Sequence, residues 1–256
     1  MGRSLSGPDH LRDMHTPDRV KQRLEDGTPQ SYLKDMVYGG IDGTITTFAV
    51  VSGVVGAELA AGIVVILGLA NLFADGFSMA VSNFLGTKAE QQFLHMIRKE
   101  EENEIHLIPE GEREEIRQIY AAKGFEGELL EQVVEVITSN DQVWVDTMLL
   151  EEHGLLLDGP EPKKAAWWTF VAFLAAGIVP VAPFIVNLLV DGGISSPFLW
   201  SSIATAATFF SIGVLKARVV GGSTLKAGLE TVAVGGMAAT LAYGIGWLLR
   251  GVADGI

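Results

Sequence analysis

A carboxylate lies inside an apolar part of this sequence. Asp42 belongs to the run YGGIDGT (residues 38–44), which opens a stretch that continues almost without charge to Gly86. A charged side chain at the centre of a bilayer costs about 2.5–3.5 kcal/mol or more, so an intramembrane carboxylate indicates a functional site with a partner. The partner that fits a carboxylate here is a cation.

The second apolar stretch carries a polar stripe. Asn71, Asp75 and Met79 are spaced i, i+4, i+8 and therefore share one helix face, which we expect to face protein rather than lipid. At about 1.5 Å per residue, Asp42 and Met79 lie at similar depths, so the two can meet. Carboxylate oxygen with thioether sulfur suits a borderline ion such as Fe²⁺ better than Mg²⁺ or Ca²⁺. Alternatively, Met79 only fills space and Asp75 only hydrogen-bonds a neighbouring helix.

A glutamate-rich segment follows the second apolar stretch. It contains two pairs of glutamates one helical turn apart, and like charges at this spacing destabilise a helix by roughly 0.2–0.5 kcal/mol per pair. Bound divalent cations would neutralise them, and a sulfur and a carboxylate at i, i+4 could complete the ligand set. The candidate metal ligands are Glu101, Glu104, Glu112, Glu115, Met148 and Glu152. Spacing alone leaves open an ordinary solvated acidic surface.

The remaining residue types exclude several kinds of chemistry. Cysteine is absent, which removes disulfides, thiolate zinc sites and cysteine nucleophiles. Neither a phosphate-binding loop nor a nucleophile elbow is present, so we expect no enzyme activity. Any transport would then be driven by gradients. The histidines show no paired metal-ligand spacing and are expected on the surface, with His153 notable only because it follows Glu152. They are His10, His15, His95, His106 and His153.

Composition indicates a polytopic membrane protein. The 256 residues are 48% hydrophobic and 19% charged, with a mean hydropathy of +0.33. Formal net charge is −13, and residues 88–164 carry −11 of it through 19 acidic and 8 basic side chains. A segment this acidic repels nucleic acid and suits a cationic partner.

Five apolar stretches are long enough to span a bilayer, namely 36–57, 60–86, 165–190, 197–215 and 226–249. We predict an all-α membrane protein with an N-terminal arm (1–35), two membrane helices (36–87), an acidic three-helix metal-binding insert (88–164) and three further membrane helices (165–256). Lysine and arginine concentrate in the arm and the insert, which predicts that both are cytoplasmic. The first 35 residues contain no apolar signal-peptide core, so we expect insertion at the first membrane helix, in a prokaryotic plasma membrane.

The insert is predicted to continue the second membrane helix to about residue 107. Helices over 111–123, 128–138 (a shorter piece) and 141–156 follow, with breaks at Pro109 and Gly124. Apolar side chains on these helices can form one small core. The predicted core residues are Phe93, Met96, Ile97, Ile116, Ile119, Tyr120, Val133, Val136, Trp144 and Val145.

Three motifs resemble the vacuolar iron transporter family. They are Asp42-Gly43 with the run FAVVSGV (48–54), then Ser78-Met79, followed by Glu90. The similarity extends through nearly the whole chain from Tyr32. It implies a five-helix homodimer that moves Fe²⁺, and often Mn²⁺, out of the cytoplasm with proton exchange as the driving force.

The resemblance also implies roles for residues. The membrane path would use Asp42 and Met79, with Asp35 at its cytoplasmic side, and the insert would gather metal through the six candidate ligands. We expect Fe²⁺ and Mn²⁺ as substrates, Zn²⁺ and Co²⁺ as further candidates, and no prosthetic group. In two places the chain departs from the family pattern. Asn71 stands where a carboxylate is expected, with Asp75 one turn further, and Leu149 stands where a second methionine occurs.

Two other function classes remain open at this point. The chain could be a membrane-anchored metal buffer or sensor, although an anchor has no use for Asp42 and Asp75 together. It could also be an unrelated channel or small-molecule carrier with an acidic regulatory domain, which metal-independent flux would favour.

Overall fold

The structure is a computed structural model that describes residues 8–26, 30–190 and 193–253. Parts of the predicted N-terminal arm and of the loop after the third apolar stretch lie outside the described residues. Within those ranges the chain forms ten helices and no strand. The helices are α1 (Pro8–Met14), α2 (Pro17–Asp26), α3 (Leu33–Gly56), α4 (Ala61–Leu107), α5 (Pro109–Ala122), α6 (Gly127–Thr138), α7 (Asp141–Glu151), α8 (Pro162–Leu189), α9 (Pro197–Val220) and α10 (Thr224–Ala253).

Five of these helices are long and apolar enough to cross a membrane: α3, α4, α8, α9 and α10. This confirms the prediction of an all-α protein with five membrane-spanning helices. The second of them, α4, runs for 47 residues, well beyond the length that a bilayer requires. Its polar C-terminal part belongs to the acidic segment.

The chain divides into two compact units. The membrane unit comprises Met1–Phe84 and Pro162–Ile256, and the insert unit comprises Leu85–Glu161. In the membrane unit α3 is the most enclosed spanning helix and packs against α8, α9 and α10. Gly39 and Gly43 allow the close approach of α8, because a β-carbon at either position would collide with the backbone of Thr169 or Phe173.

The insert unit is built from α5, α6, α7 and the end of α4 around one apolar core. Pro109 is the first residue of α5, and Gly124 adopts a φ of 95° after that helix, so both predicted breaks are present. The last helix ends at Glu151, earlier than predicted, because Gly154 turns the chain with a φ of 64°. The core contains Ile97, Ile105, Ile116, Leu130, Val134, Ile137, Trp144, Val145, Met148 and Leu149.

Part of the predicted core is wrong. Phe93, Met96 and Val136 are more than half exposed. On α6 the buried apolar positions are Leu130, Val134 and Ile137, at i, i+4 and i+7, and Val136 lies outside that stripe. Several faces of these short helices carry apolar residues, so the sequence pattern alone does not select the buried one.

Candidate functional site

Two carboxylates of the membrane unit interact electrostatically. Asp42 lies on α3 and Asp75 on α4, and a short turn at Ala57–Ala60 makes these helices consecutive neighbours. Both side chains are half-buried, and they are close enough for their negative charges to repel each other. Repulsion between two carboxylates in an apolar setting is relieved by a bound cation or by protonation.

The stripe around Asp75 is open on one side of the single chain. Asn71 and Met79 are half-buried like Asp75, whereas Ser78 and Ser82 are exposed. Among the described residues, Nδ2 of Asn71 has no hydrogen-bond partner. The structure therefore places the predicted stripe on one face of α4, partly uncovered.

Asp35 takes part in a buried polar contact between three helices. It is only 8% exposed, and its Oδ1 accepts a hydrogen bond from Nδ2 of Asn83 on α4 at 2.8 Å. The same nitrogen donates to Oγ1 of Thr169 on α8 at 2.7 Å, and Thr169 donates onward to the carbonyl of Ala165. Asn83 therefore holds the Asp35 carboxylate in place near the start of α3.

A second group of acidic side chains lies in the insert unit. Glu101 on α4 is 3% exposed, and its Oε1 lies 2.7 Å from Nε2 of His153. Glu152 lies beside them, with its Oε2 3.9 Å from the same nitrogen. One ligand atom from each of these residues falls within 4.8 Å of the other two, a spacing that could hold a metal ion.

Glu112 extends this group from the first turn of α5. It is 1% exposed, and burial together with the charges of Glu115, Glu101 and their neighbours raises its pKa to about 7. In the described part of the chain, neither Oε2 of Glu112 nor Oε2 of Glu101 has a hydrogen-bond partner. A buried acceptor without a partner lowers the stability of the fold by about 1–3 kcal/mol, and by more when it is charged. A proton or a cation bound at either oxygen would reduce that cost.

The other predicted ligands of the insert differ in placement. Glu115 interacts electrostatically with Glu152, Glu101 and Glu104, and burial followed by repulsion from Glu152 raises the pKa of Glu115. Five of the six candidate ligands therefore lie in one electrostatic cluster. Met148 is fully buried in the apolar core, one turn before Glu152, and its carbonyl accepts the backbone N–H of Glu152 at 3.0 Å.

Comparison with known proteins identifies the relatives of this chain. A family model described as the VIT family matches residues 33–247. The chain belongs to the VIT family.

Curated relatives agree with this assignment over most of their length. A vacuolar iron transporter of Toxoplasma gondii is 35% identical over 229 residues, covering 87% of this chain and 76% of the relative. The vacuolar iron transporter of Plasmodium falciparum is 32% identical over 224 residues, with 85% and 82% covered. Vacuolar iron transporter 1 of Arabidopsis thaliana is 29% identical over 219 residues, with 84% and 85% covered. VIT-family members are transporters rather than enzymes, and this one is a multi-pass membrane protein.

Two polar residues of this VIT-family chain were not predicted as site residues. His153 is exposed, as expected, yet it also contacts Glu101, and that hydrogen bond raises the pKa of its imidazole. Its position next to Glu152 was the only available signal. No local sequence pattern indicates a role for Asn83, because its contact with Asp35 joins residues 48 positions apart.

Proposed function

We propose that this VIT-family chain exports Fe²⁺, and also Mn²⁺, from the cytoplasm in exchange for protons, as a homodimer. The names of its relatives, vacuolar iron transporters, support iron as the substrate. The proposed path contains Asp35, Asn71 and Met79 together with Asp42 and Asp75, and the insert collects the ion.

The observation that carries this proposal is the pair of interacting carboxylates Asp42 and Asp75 in the membrane unit. Two like charges in a low-dielectric setting are stable together only when something positive neutralises them. A divalent cation neutralises both at once, and two protons do the same. Because both kinds of ligand compete for the same oxygens, binding protons releases the metal, which is the requirement for exchange.

The partly uncovered polar face of α4 supports the proposal that two copies of the chain associate. Asp75 is half-buried in the single chain, next to exposed Ser78 and Ser82, and lipid is an unfavourable neighbour for such a stripe. Association of two identical faces around a two-fold axis would cover both stripes with protein. It would also bring the carboxylates of both subunits to one path.

The insert has the donors to collect the ion first. Carboxylate oxygens, one imidazole and a thioether one turn away form a mixed set that suits Fe²⁺ and Mn²⁺, with Zn²⁺ and Co²⁺ as competitors. Glu101 and Glu112 contribute buried oxygens without partners in the described chain, whereas Glu104 and Glu152 are more accessible. The accessible members can capture an ion and the buried ones can retain it.

The distribution of basic residues supports the direction of transport. Lysine and arginine concentrate in the arm and the insert, which favours a cytoplasmic location for both. Arg250 near the end of α10 runs against this trend. It pairs with Glu58 at 3.1 Å and stacks over Trp247, so it has a local structural role there.

The test is metal flux into proteoliposomes of the purified chain, with and without an imposed pH gradient. We expect Fe²⁺ and Mn²⁺ flux that depends on the gradient and is lost in Asp42→Ala, while that variant still binds metal through the insert. A matched control is Thr46→Val, one turn further on α3, where the hydroxyl only donates to the carbonyl of Asp42 at 2.9 Å.

Other outcomes would reject the proposal. Stoichiometric metal binding without any flux would favour a membrane-anchored buffer or sensor. Undiminished flux in Asp42→Ala would reject the path, and flux of other solutes without metal would favour an unrelated carrier.

A further inference from the structure

An apolar groove lies between α4 and α8 in the membrane unit. Its volume is about 340 Å³, within the roughly 300–1,000 Å³ range of small-molecule sites. Aromatic and aliphatic side chains form its wall, and one cation is part of its lining. The lining includes Phe77, Val81, Phe84, Trp167, Phe170 and Lys163.

The groove lies on the opposite side of α4 from the polar stripe. Phe77 is two residues after Asp75 and Val81 is two residues after Met79, and two residues correspond to about 200° around a helix. A second copy that covers the stripe would therefore leave this side of α4 facing lipid. Phe77 is 66% exposed in the single chain, as a lipid-facing side chain is expected to be.

Among the described residues, Lys163 supplies the only charge in the lining of this groove. It is the second residue of α8, just before the apolar part of that helix, so it lies at the boundary between hydrocarbon and headgroups. Within the described residues it makes no ion pair or hydrogen bond, in contrast to Arg98 and Lys123, which pair with carboxylates of the insert unit.

We propose that this groove binds an anionic phospholipid, with an acyl chain along the aromatic wall and the headgroup phosphate on Lys163. The wall accepts the chain of any phospholipid. An unpaired lysine at headgroup level adds a preference for net negative charge, because the positive group of a zwitterionic lipid offsets its phosphate. This inference depends on membrane insertion alone and not on metal transport.

Trp167 makes the proposal measurable by fluorescence, because it lines the groove and is 61% exposed. The purified full chain is reconstituted in phosphatidylcholine bilayers containing brominated phosphatidylglycerol or brominated phosphatidylcholine, both of which quench nearby tryptophan. The difference between the chain and its Trp167→Phe variant isolates the signal from the groove. We expect phosphatidylglycerol to bind there about fivefold more tightly than phosphatidylcholine.

Two substitutions separate the headgroup contact from the groove itself. Lys163→Gln should abolish the preference, whereas the matched control Lys226→Gln, at the third residue of α10, should leave it intact. Ala80→Leu narrows the groove and should reduce quenching of Trp167 by both lipids. Equal quenching by the two lipids, or a preference that persists in Lys163→Gln, would overturn the proposal. Size-exclusion chromatography confirms that each variant is folded.

Discussion

The metal affinity of the insert should depend steeply on pH around neutrality. Glu112 is buried among other glutamates, and its pKa is raised to about 7. On the proposed function Glu112 is a metal ligand. A metal ligand must be deprotonated, so a proton on Glu112 competes directly with the ion. Because the pKa is raised rather than lowered, the competing proton is present on the acidic side of pH 7 and absent on the basic side.

The size of the effect follows from that pKa. With a value of about 7, the carboxyl group is about 90% protonated at pH 6 and about 10% protonated at pH 8. Competition at this one group therefore lowers the apparent affinity about tenfold at pH 6 and hardly at all at pH 8. Burial also raises the pKa of Glu101 and Glu115.

Calorimetric titration of the full chain with Mn²⁺ measures this directly. Titrations at pH 6, 7 and 8 in buffers of different ionisation enthalpy report both the affinity and the protons released. We expect about one proton or more released per ion at pH 6 and few at pH 8. In Glu112→Gln the affinity should be lower at pH 8, and its pH dependence should be weaker by about tenfold between pH 6 and 8.

The control is Glu110→Gln, an exposed glutamate in the first turn of the same helix. It changes the net charge by the same amount without removing a buried oxygen, so it should keep the wild-type pH dependence. An affinity that stays constant from pH 6 to 8, or an unchanged dependence in Glu112→Gln, would refute the reasoning.

Three further perturbations test other contacts of the structure. Asn83→Leu removes the hydrogen bond that Asn83 donates to the buried Asp35 carboxylate, at a cost of about 1–3 kcal/mol. Proteoliposome flux should therefore fall severalfold, while metal binding by the insert is unchanged. His153→Ala removes the imidazole from Glu101, and calorimetry should show metal affinity reduced about tenfold or more. Gly43→Val forces a side chain against the backbone of Phe173, so size-exclusion chromatography should show aggregated rather than monodisperse protein.

Matched variants control two of these three tests. His106→Ala alters an exposed histidine of the same unit and should leave metal affinity unchanged. Gly236→Val adds the same side chain at a position of α10 with open space around it, and should remain monodisperse. Wild-type flux in Asn83→Leu would show that Asp35 does not need this hydrogen bond for transport.

Local signals account for the parts of the fold that the sequence predicted. A spanning helix is an apolar run of sufficient length, so all five could be found without knowledge of their packing. The breaks at Pro109 and Gly124 are equally local, since proline lacks a backbone donor and glycine tolerates a positive φ.

Long-range packing explains the contacts and core positions that the sequence did not predict. His153 and Glu101 are 52 residues apart, and their contact depends on where α7 ends and on which face of α4 is buried. Phe93 and Met96 were expected in the core, but α4 turns Ile97, Glu101 and Ile105 inward, at i, i+4 and i+8. The orientation of α4 about its axis, which exposes Phe93 and Met96, also buries the Glu101 carboxylate that contacts His153.

The orientation of α4 also explains why an acidic side chain occupies a core position. Glu101 shares its buried stripe with two isoleucines, and Glu112 is likewise enclosed next to the apolar core of the insert. Burying two glutamates near each other opposes folding unless they are neutralised. An apolar residue at either position would relieve that cost, so the arrangement is understandable only if the neutralising species matters. On the proposed function that species alternates between protons and a divalent ion, and Glu112, with a pKa of about 7, can change between them near neutral pH.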